Sequence, residues 1–158
     1  MTTTITGALG IDNIKAATGA VLQVVSEGFP PQTITTTSTS FVTTGKSIVI
    51  TPKSATSKIL ITLSGGGQRH AAQGSMANVT VYRGATNIGH ASYGLSANYA
   101  VGSSSGSDIT PHSLSVLDTP ETNSSVTYTF YIKSQSGSYQ FHYSDRPILT
   151  ATLMEIAG

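Results

Sequence analysis

The sequence predicts an all-β fold, an antiparallel β-sandwich of jelly-roll-like form. Three observations carry that expectation. Apolar and polar residues alternate in short runs from Ala20 to the end of the chain. Turn residues such as Gly, Pro, Asn and Ser separate the runs, and no sustained helical spacing interrupts them. The polar residues are mostly hydroxylic, with 24 Thr and 22 Ser, and Thr is β-branched and favours extended backbone.

The first segment stands apart. Residues 1–19, "MTTTITGALGIDNIKAATG", could form a helical turn or two, capped by Asp12 and stopped at Gly19. Such a helix is too short to be stable alone. The segment is therefore expected to be an arm ordered by a partner through Ile11 and Ile14, against the alternative of a frayed terminus. Residues 20–158 form the expected β domain.

"AVLQVVSE" predicts the first strand, ended by "GFPPQ". The next stretch, "TITTTSTSFV", admits two readings. One is a flexible linker. The favoured one is an extended outer segment anchored inward by Ile34 and Phe41. "KSIVIT" and "SKILITLS", separated by "PKSAT", predict a hairpin. "ANVTVYRG" places Val79 and Val81 inward and Asn78, Thr80 and Tyr82 outward, and "ATNIG" follows a short turn. "HSLSVLD" puts Leu114 and Val116 on one face. "SVTYTFYIKS" alternates most cleanly, with Val126, Tyr128, Phe130 and Ile132 opposite Thr127, Thr129, Tyr131 and Lys133. A short aromatic run, "GSYQFHYS", precedes the closing strand "ILTATLMEIAG".

That closing strand is apolar on both faces. Leu149, Ala151 and Leu153 point one way; Ile148, Met154 and Ile156 point the other, with Glu155 expected at the margin. A strand apolar on both faces is covered on both sides. The second cover is expected to be a neighbouring subunit, which assigns Ile148, Met154 and Ile156 to an oligomer interface. Only 9% of residues are charged, against about a quarter in ordinary domains. Exposed strand edges therefore have little charge to protect them, and sister subunits would supply the protection.

Two loops are candidates for surface recognition. Residues 64–76, "SGGGQRHAAQGSM", carry Arg69 and His70. Residues 89–112 are rich in Gly and Ser and carry Tyr93 and Tyr99. A loop of that length in a small domain is functional or unstructured, and its Tyr, Ser, Gly and Asn resemble the adaptable chemistry of binding loops. A subunit-contact loop or a flexible one is the plainer reading of residues 89–112, and it is favoured over a ligand site.

Composition excludes several functions. A net charge of +1 with scattered Lys and Arg argues against nucleic acid, which needs clustered cations. Cys is absent, so neither a disulfide framework nor a zinc-finger spacing exists. No apolar run approaches the length of a membrane helix, and "MTTTITGALG" lacks the features of a signal peptide. The acids and the four His residues are dispersed. Asp118 and Glu121 flank "TP" and are expected to be solvated or capping, not a glycosidase pair. No metal-binding, phosphate-loop or nucleophile-elbow spacing is present. Backbone carbonyls of residues 89–112 could bind Ca²⁺ or Na⁺, but no residue pattern demands it. No enzyme and no cofactor is expected.

In order along the chain stand "GAVLQVVSE", "FVTTG", "SIVITPKSATSKILITLSG", "VYRGATNIG", "LDTPETNSSVTYTFYIKSQSG" and "LTATLMEIAG". This series resembles the β-rich virion proteins of tailed bacteriophages, especially small fibre-like proteins common in phages of aquatic bacteria. "ITPKSATSKILI" and "TLMEIAG" are its most specific pieces. The resemblance covers residues 20–158. It implies an all-β, homotrimeric, non-enzymatic protein on the virion surface, made in the host cytoplasm and released by lysis. The arm would then attach the trimer to capsid or tail proteins. Shortness favours a capsid decoration or cement protein, while the loop chemistry favours a tail-fibre tip that recognises a host surface glycan. A monomeric carbohydrate-binding module is a further alternative.

Overall fold

The computed structural model describes residues 17–70, 74–100, 109–144 and 146–158. These residues form eleven strands and no helix. The alternation in the sequence accounts for the strands, and two antiparallel sheets face each other across one apolar core. The expected all-β, jelly-roll-like sandwich is what the chain adopts. Residues 1–16, with Ile11 and Ile14, lie outside the described residues.

The first sheet is built around its longest strand. β1 (Val21–Phe29) pairs with β11 (Leu149–Ile156), and β11 pairs with the first half of β4 (Lys58–His70). The far end of β4 pairs with β10 (Tyr139–Gln140), which pairs in turn with β2 (Thr35–Thr36). β8 (Ile109–Asp118) runs along the other side of β4. The second sheet runs β3 (Val42–Ile50), β9 (Val126–Ser134), β5 (Met76–Arg83) and β6 (Thr86–Asn87), and β7 (Ser96–Tyr99) also pairs with β5.

The core follows the two-residue period of the strands. Val126, Tyr128, Phe130 and Ile132 of β9 are buried, as are Ile59, Ile61 and Leu63 of β4 and Leu149, Ala151 and Leu153 of β11. Phe29 of one sheet meets Phe130 of the other edge to face at 6.4 Å, a favoured aromatic geometry.

The Thr-rich stretch is part of the fold. Thr35 and Thr36 pair with β10, and the Ile34 carbonyl accepts from the Phe141 N–H at 2.8 Å. Ile34 packs against the core, as expected, and Phe41 lies under the Lys133 ammonium at 5.0 Å. The expected hairpin of "KSIVIT" and "SKILITLS" does not form. β3 belongs to the second sheet and β4 to the first. "PKSAT" is thus a crossing between layers. Both strands bury one face toward the same core, so facing each other across it satisfies their patterns as well as pairing would.

Two further expectations are corrected. The loop expected at residues 64–76 is largely strand, since β4 continues through His70. The loop expected at residues 89–112 contains β7 and the first residues of β8, with 101–108 outside the described residues. Its first part folds over the outer face of β5. Asn78 and Thr80 point outward, as expected, yet both are fully buried. Asn78 Nδ2 donates to the Tyr93 carbonyl at 3.1 Å, and Thr80 Oγ1 donates to Asn87 Oδ1 at 2.6 Å. Gly94, at φ +65°, makes the close approach possible, because a Cβ there would stand 2.5 Å from the Val79 carbonyl oxygen.

A candidate assembly face

The outer side of the first sheet carries the feature that sequence spacing alone suggested only in part. On β11, Thr150, Thr152, Met154 and Ile156 alternate outward against the buried Leu149, Ala151, Leu153 and Glu155. Strand register then decides their neighbours. Met154 stands opposite Val24 on β1 and Leu60 on β4, and Leu60 stands opposite Leu117 on β8. Val24, Met154, Leu60 and Leu117 thus form one apolar row across four strands. Val24 is 57% and Leu117 50% exposed.

Hydroxyl rows lie beside it. The next row holds Ser26, Thr152, Thr62 and Ser115, and the one after it Thr150, Ser64 and Ser113. Ser26 Oγ and Thr152 Oγ1 are 3.2 Å apart. On the other side of the apolar row, Ile156 stands between Val21 and Lys58. Among the described outward residues of these rows, Lys58 is the one charge. Four strands about 4.8 Å apart, over four rows about 7 Å apart, measure roughly 500 Å².

The three expected interface residues therefore separate. Met154 and Ile156 join the apolar patch. Ile148 also faces outward and is 59% exposed, but it precedes β11, with the Thr150 and Thr152 rows between it and Met154. Val24, Leu60 and Leu117 went unnamed in the sequence because only pairing register brings them to Met154. Glu155 is not at the margin. It shares the inner face of β11 and is fully buried. Its carboxylate accepts from Gln23 Nε2 at 2.6 Å and from the Lys53 N–H at 2.7 Å. Burial pushes the carboxyl up, and Ser57, Gln23 and the N–H groups of Lys53 and Ser54 more than reverse that, holding it below the ordinary range.

The expected recognition residues occupy different places. Tyr93 and Tyr99 are each 54% exposed on the segment covering the second sheet. Tyr93 stacks on His90 at 5.2 Å, and His90 Nδ1 accepts the Ser92 and Tyr93 N–H groups at 3.1 Å. Arg69 belongs to β4 of the first sheet, its guanidinium 5.3 Å from the Tyr143 ring. His70 is 5% exposed and packs against Tyr139 at 5.1 Å. Its ring is a wall of the interior, because β4 carries it past the point where a loop was expected.

Asp118, expected to be solvated or capping, is buried and bonded from two sides. The Tyr128 hydroxyl donates to Oδ2 at 2.7 Å, and Arg83 Nη1 pairs with the same oxygen at 2.9 Å. Among the described residues, no three His, Asp or Glu side chains are grouped to hold a metal ion. A cavity of about 260 Å³ at the base of the sandwich is lined by Leu22, Lys53, Ser54, Thr56, Ser57, Ala157 and Gly158, just below the usual size of a small-molecule site.

No protein-family model matches the chain, and no curated protein matches it. Solved structures do. A VP2 subviral particle of infectious bursal disease virus is similar at 15% identity and a TM-score of 0.47, over 97% of this chain and 37% of that chain. The T13 particle of the same virus is similar at 14% identity and a TM-score of 0.44, over 96% of this chain and 40% of that one. The Gx strain of that virus gives 13% identity and a TM-score of 0.43, over 96% and 45%. This chain spans less than half the length of these solved chains.

Proposed function

We propose that this chain is a non-enzymatic structural subunit of a virion, of the tailed-phage type that its sequence resembles, and that it works as a homo-oligomer. The observation that carries this reading is the apolar row Val24, Met154, Leu60 and Leu117, laid in register on a face with a single charge. A second copy is the occupant that suits it. Two such faces meeting bury about 1,000 Å², the lower bound of a specific protein interface, and the Ser and Thr rows can exchange hydrogen bonds without desolvating charge. The three-fold state rests on the sequence resemblance, as do the virion-surface location and the docking of residues 1–19 on capsid or tail proteins.

Native mass of the purified chain tests this reading. The expected mass is that of a trimer, and Met154→Asp gives a monomer with unchanged β content in circular dichroism. A wild-type monomer overturns the reading, as does a Met154→Asp variant that assembles normally. Deleting residues 1–19 leaves the trimer intact and abolishes particle attachment.

Capsid decoration or cement is the first reading of that role. The half-exposed Tyr93 and Tyr99 favour a second reading, a fibre tip that contacts a host surface glycan. Replacing both by Ala weakens cell binding in that reading alone.

A further inference from the structure

We propose that His90 and Tyr93 form a preorganised binding site for a neutral sugar, with the Tyr93 ring as the stacking surface for a pyranose and His90 Nε2–H as the donor to one of its oxygens. The inference rests on the reading of the chain as a glycan-contacting fibre tip, and it names the residues and the class of sugar.

The site is a small closed turn. His90 N–H donates to the Gly94 carbonyl at 3.0 Å, and Gly94 N–H donates to the His90 carbonyl at 2.8 Å. Ala91, Ser92 and Tyr93 stand at the tip, all exposed. His90 Nδ1 accepts the N–H groups of both Ser92 and Tyr93 at 3.1 Å. The imidazole is therefore fixed against the turn's own backbone. The Tyr93 ring lies on it, 25° from parallel.

Two buried side chains of β5 hold this turn from below. Thr80 Oγ1 donates to Asn87 Oδ1 at 2.6 Å, and the same oxygen accepts the Gly89 N–H at 3.0 Å. Asn78 Nδ2 donates to the Tyr93 carbonyl at 3.1 Å, while Leu95 N–H donates to the Val79 carbonyl at 2.8 Å. Asn78 is fully buried, and its Oδ1 has no partner. An orphaned buried oxygen is destabilising. A Leu would fill the position without one. What the asparagine adds is a fixed Tyr93 backbone.

The chemistry on offer follows from these bonds. Nδ1 accepts twice, so the ring proton sits on Nε2. Neither Nε2 nor the Tyr93 hydroxyl is hydrogen-bonded among the described residues. The turn thus presents a held aromatic face, one N–H donor and one hydroxyl. No Asp, Glu, Lys or Arg lies between Gly89 and Leu95. A neutral pyranose matches this set. Its C–H face suits the negative face of the Tyr ring, and its oxygens accept from Nε2–H and exchange bonds with the phenol. Rigid aromatic anchors lose little entropy on binding. Tyr99 is exposed to the same 54% but belongs to no stacked pair among the described residues, and it is left outside the site.

NMR titration of the full chain with maltoheptaose, an N-acetylglucosamine tetramer and a galactose trimer tests this. At least one is expected to bind with millimolar affinity or better and to shift the ring resonances of His90 and Tyr93. His90→Phe keeps a stacked ring without Nε2–H and should weaken binding at least about tenfold. Tyr93→Ala should abolish it, and Tyr99→Ala should leave it unchanged. Failure of all three sugars overturns the site, as does binding that survives His90→Phe or shifts only other resonances. Cell binding separates the two readings. If His90→Phe binds cells normally while the double change at Tyr93 and Tyr99 does not, the site alone is overturned. If that double variant binds cells like the wild type, the fibre-tip reading falls with it.

Discussion

The Tyr128 hydroxyl donates a 2.7 Å hydrogen bond to Asp118 Oδ2 across the two sheets. The phenol is fully buried, the carboxylate 9% exposed, and Arg83 Nη1 reaches the same carboxylate from the second sheet. β8 of the first sheet is thereby tied to β9 and β5 of the second. Burial, and then the Asp118 carboxylate, push the phenol up, so it stays a donor at any ordinary pH. Tyr128→Phe keeps the ring and removes this bond. A hydrogen bond to a charged partner is worth roughly 2 kcal/mol, and a loss of that size is expected in urea denaturation. A loss below about 0.5 kcal/mol would show that Arg83 and solvent satisfy Asp118 unaided.

Glu155 makes stability depend on acid. Its folded-state carboxyl lies below the ordinary value of 4.5. Its contribution is therefore present above pH 4.5 and is lost as pH falls through the lower folded value. Glu155→Gln keeps the shape but sets an amide against N–H donors. It is expected to cost roughly 2 kcal/mol at neutral pH and progressively less as the wild type becomes protonated. Denaturation midpoints of both proteins across the acid range check this. A constant difference between them would mean that the carboxylate charge contributes nothing.

Gly65 separates backbone strain from contact. A Cβ at this position would lie 2.6 Å from the Ile148 carbonyl oxygen, at φ +84°. Gly45, at φ +71°, has nothing within 4 Å of the same added atom. Gly45→Ala therefore carries the left-handed backbone cost alone, roughly 1 kcal/mol. Gly65→Ala adds a clash with the chain entering β11 and should cost at least about 2 kcal/mol. Equal losses in thermal melts would show that the backbone at Ile148 yields without resistance.

The alternation of residues 126–134 was legible in the sequence, because a strand with one buried face repeats every second residue. Met154 and Ile156 were legible for the same reason, as outward apolar residues on a strand already apolar inward. Glu155 was misjudged because period two states which residues share a face but not which polar group finds partners inside. The hydroxyl-rich stretch at residues 33–40 was half legible. Thr tolerates extended backbone, but only Tyr139 and Gln140 gave Thr35 and Thr36 a strand to pair with.

The sequence by itself determined an all-β chain, most of its longer strands and the alternating apolar residues bound for the core. Local alternation and turn chemistry are enough for that, since each involves neighbours a few residues apart. The tertiary structure decided which strands pair, which sheet each joins and which residues meet across a face. β3 and β4 were split between layers, Leu60 was set between Met154 and Leu117, and Asp118 was buried under Tyr128. Such choices rest on pairing and packing between residues far apart in the chain, and a strand pattern that satisfies one partner satisfies many.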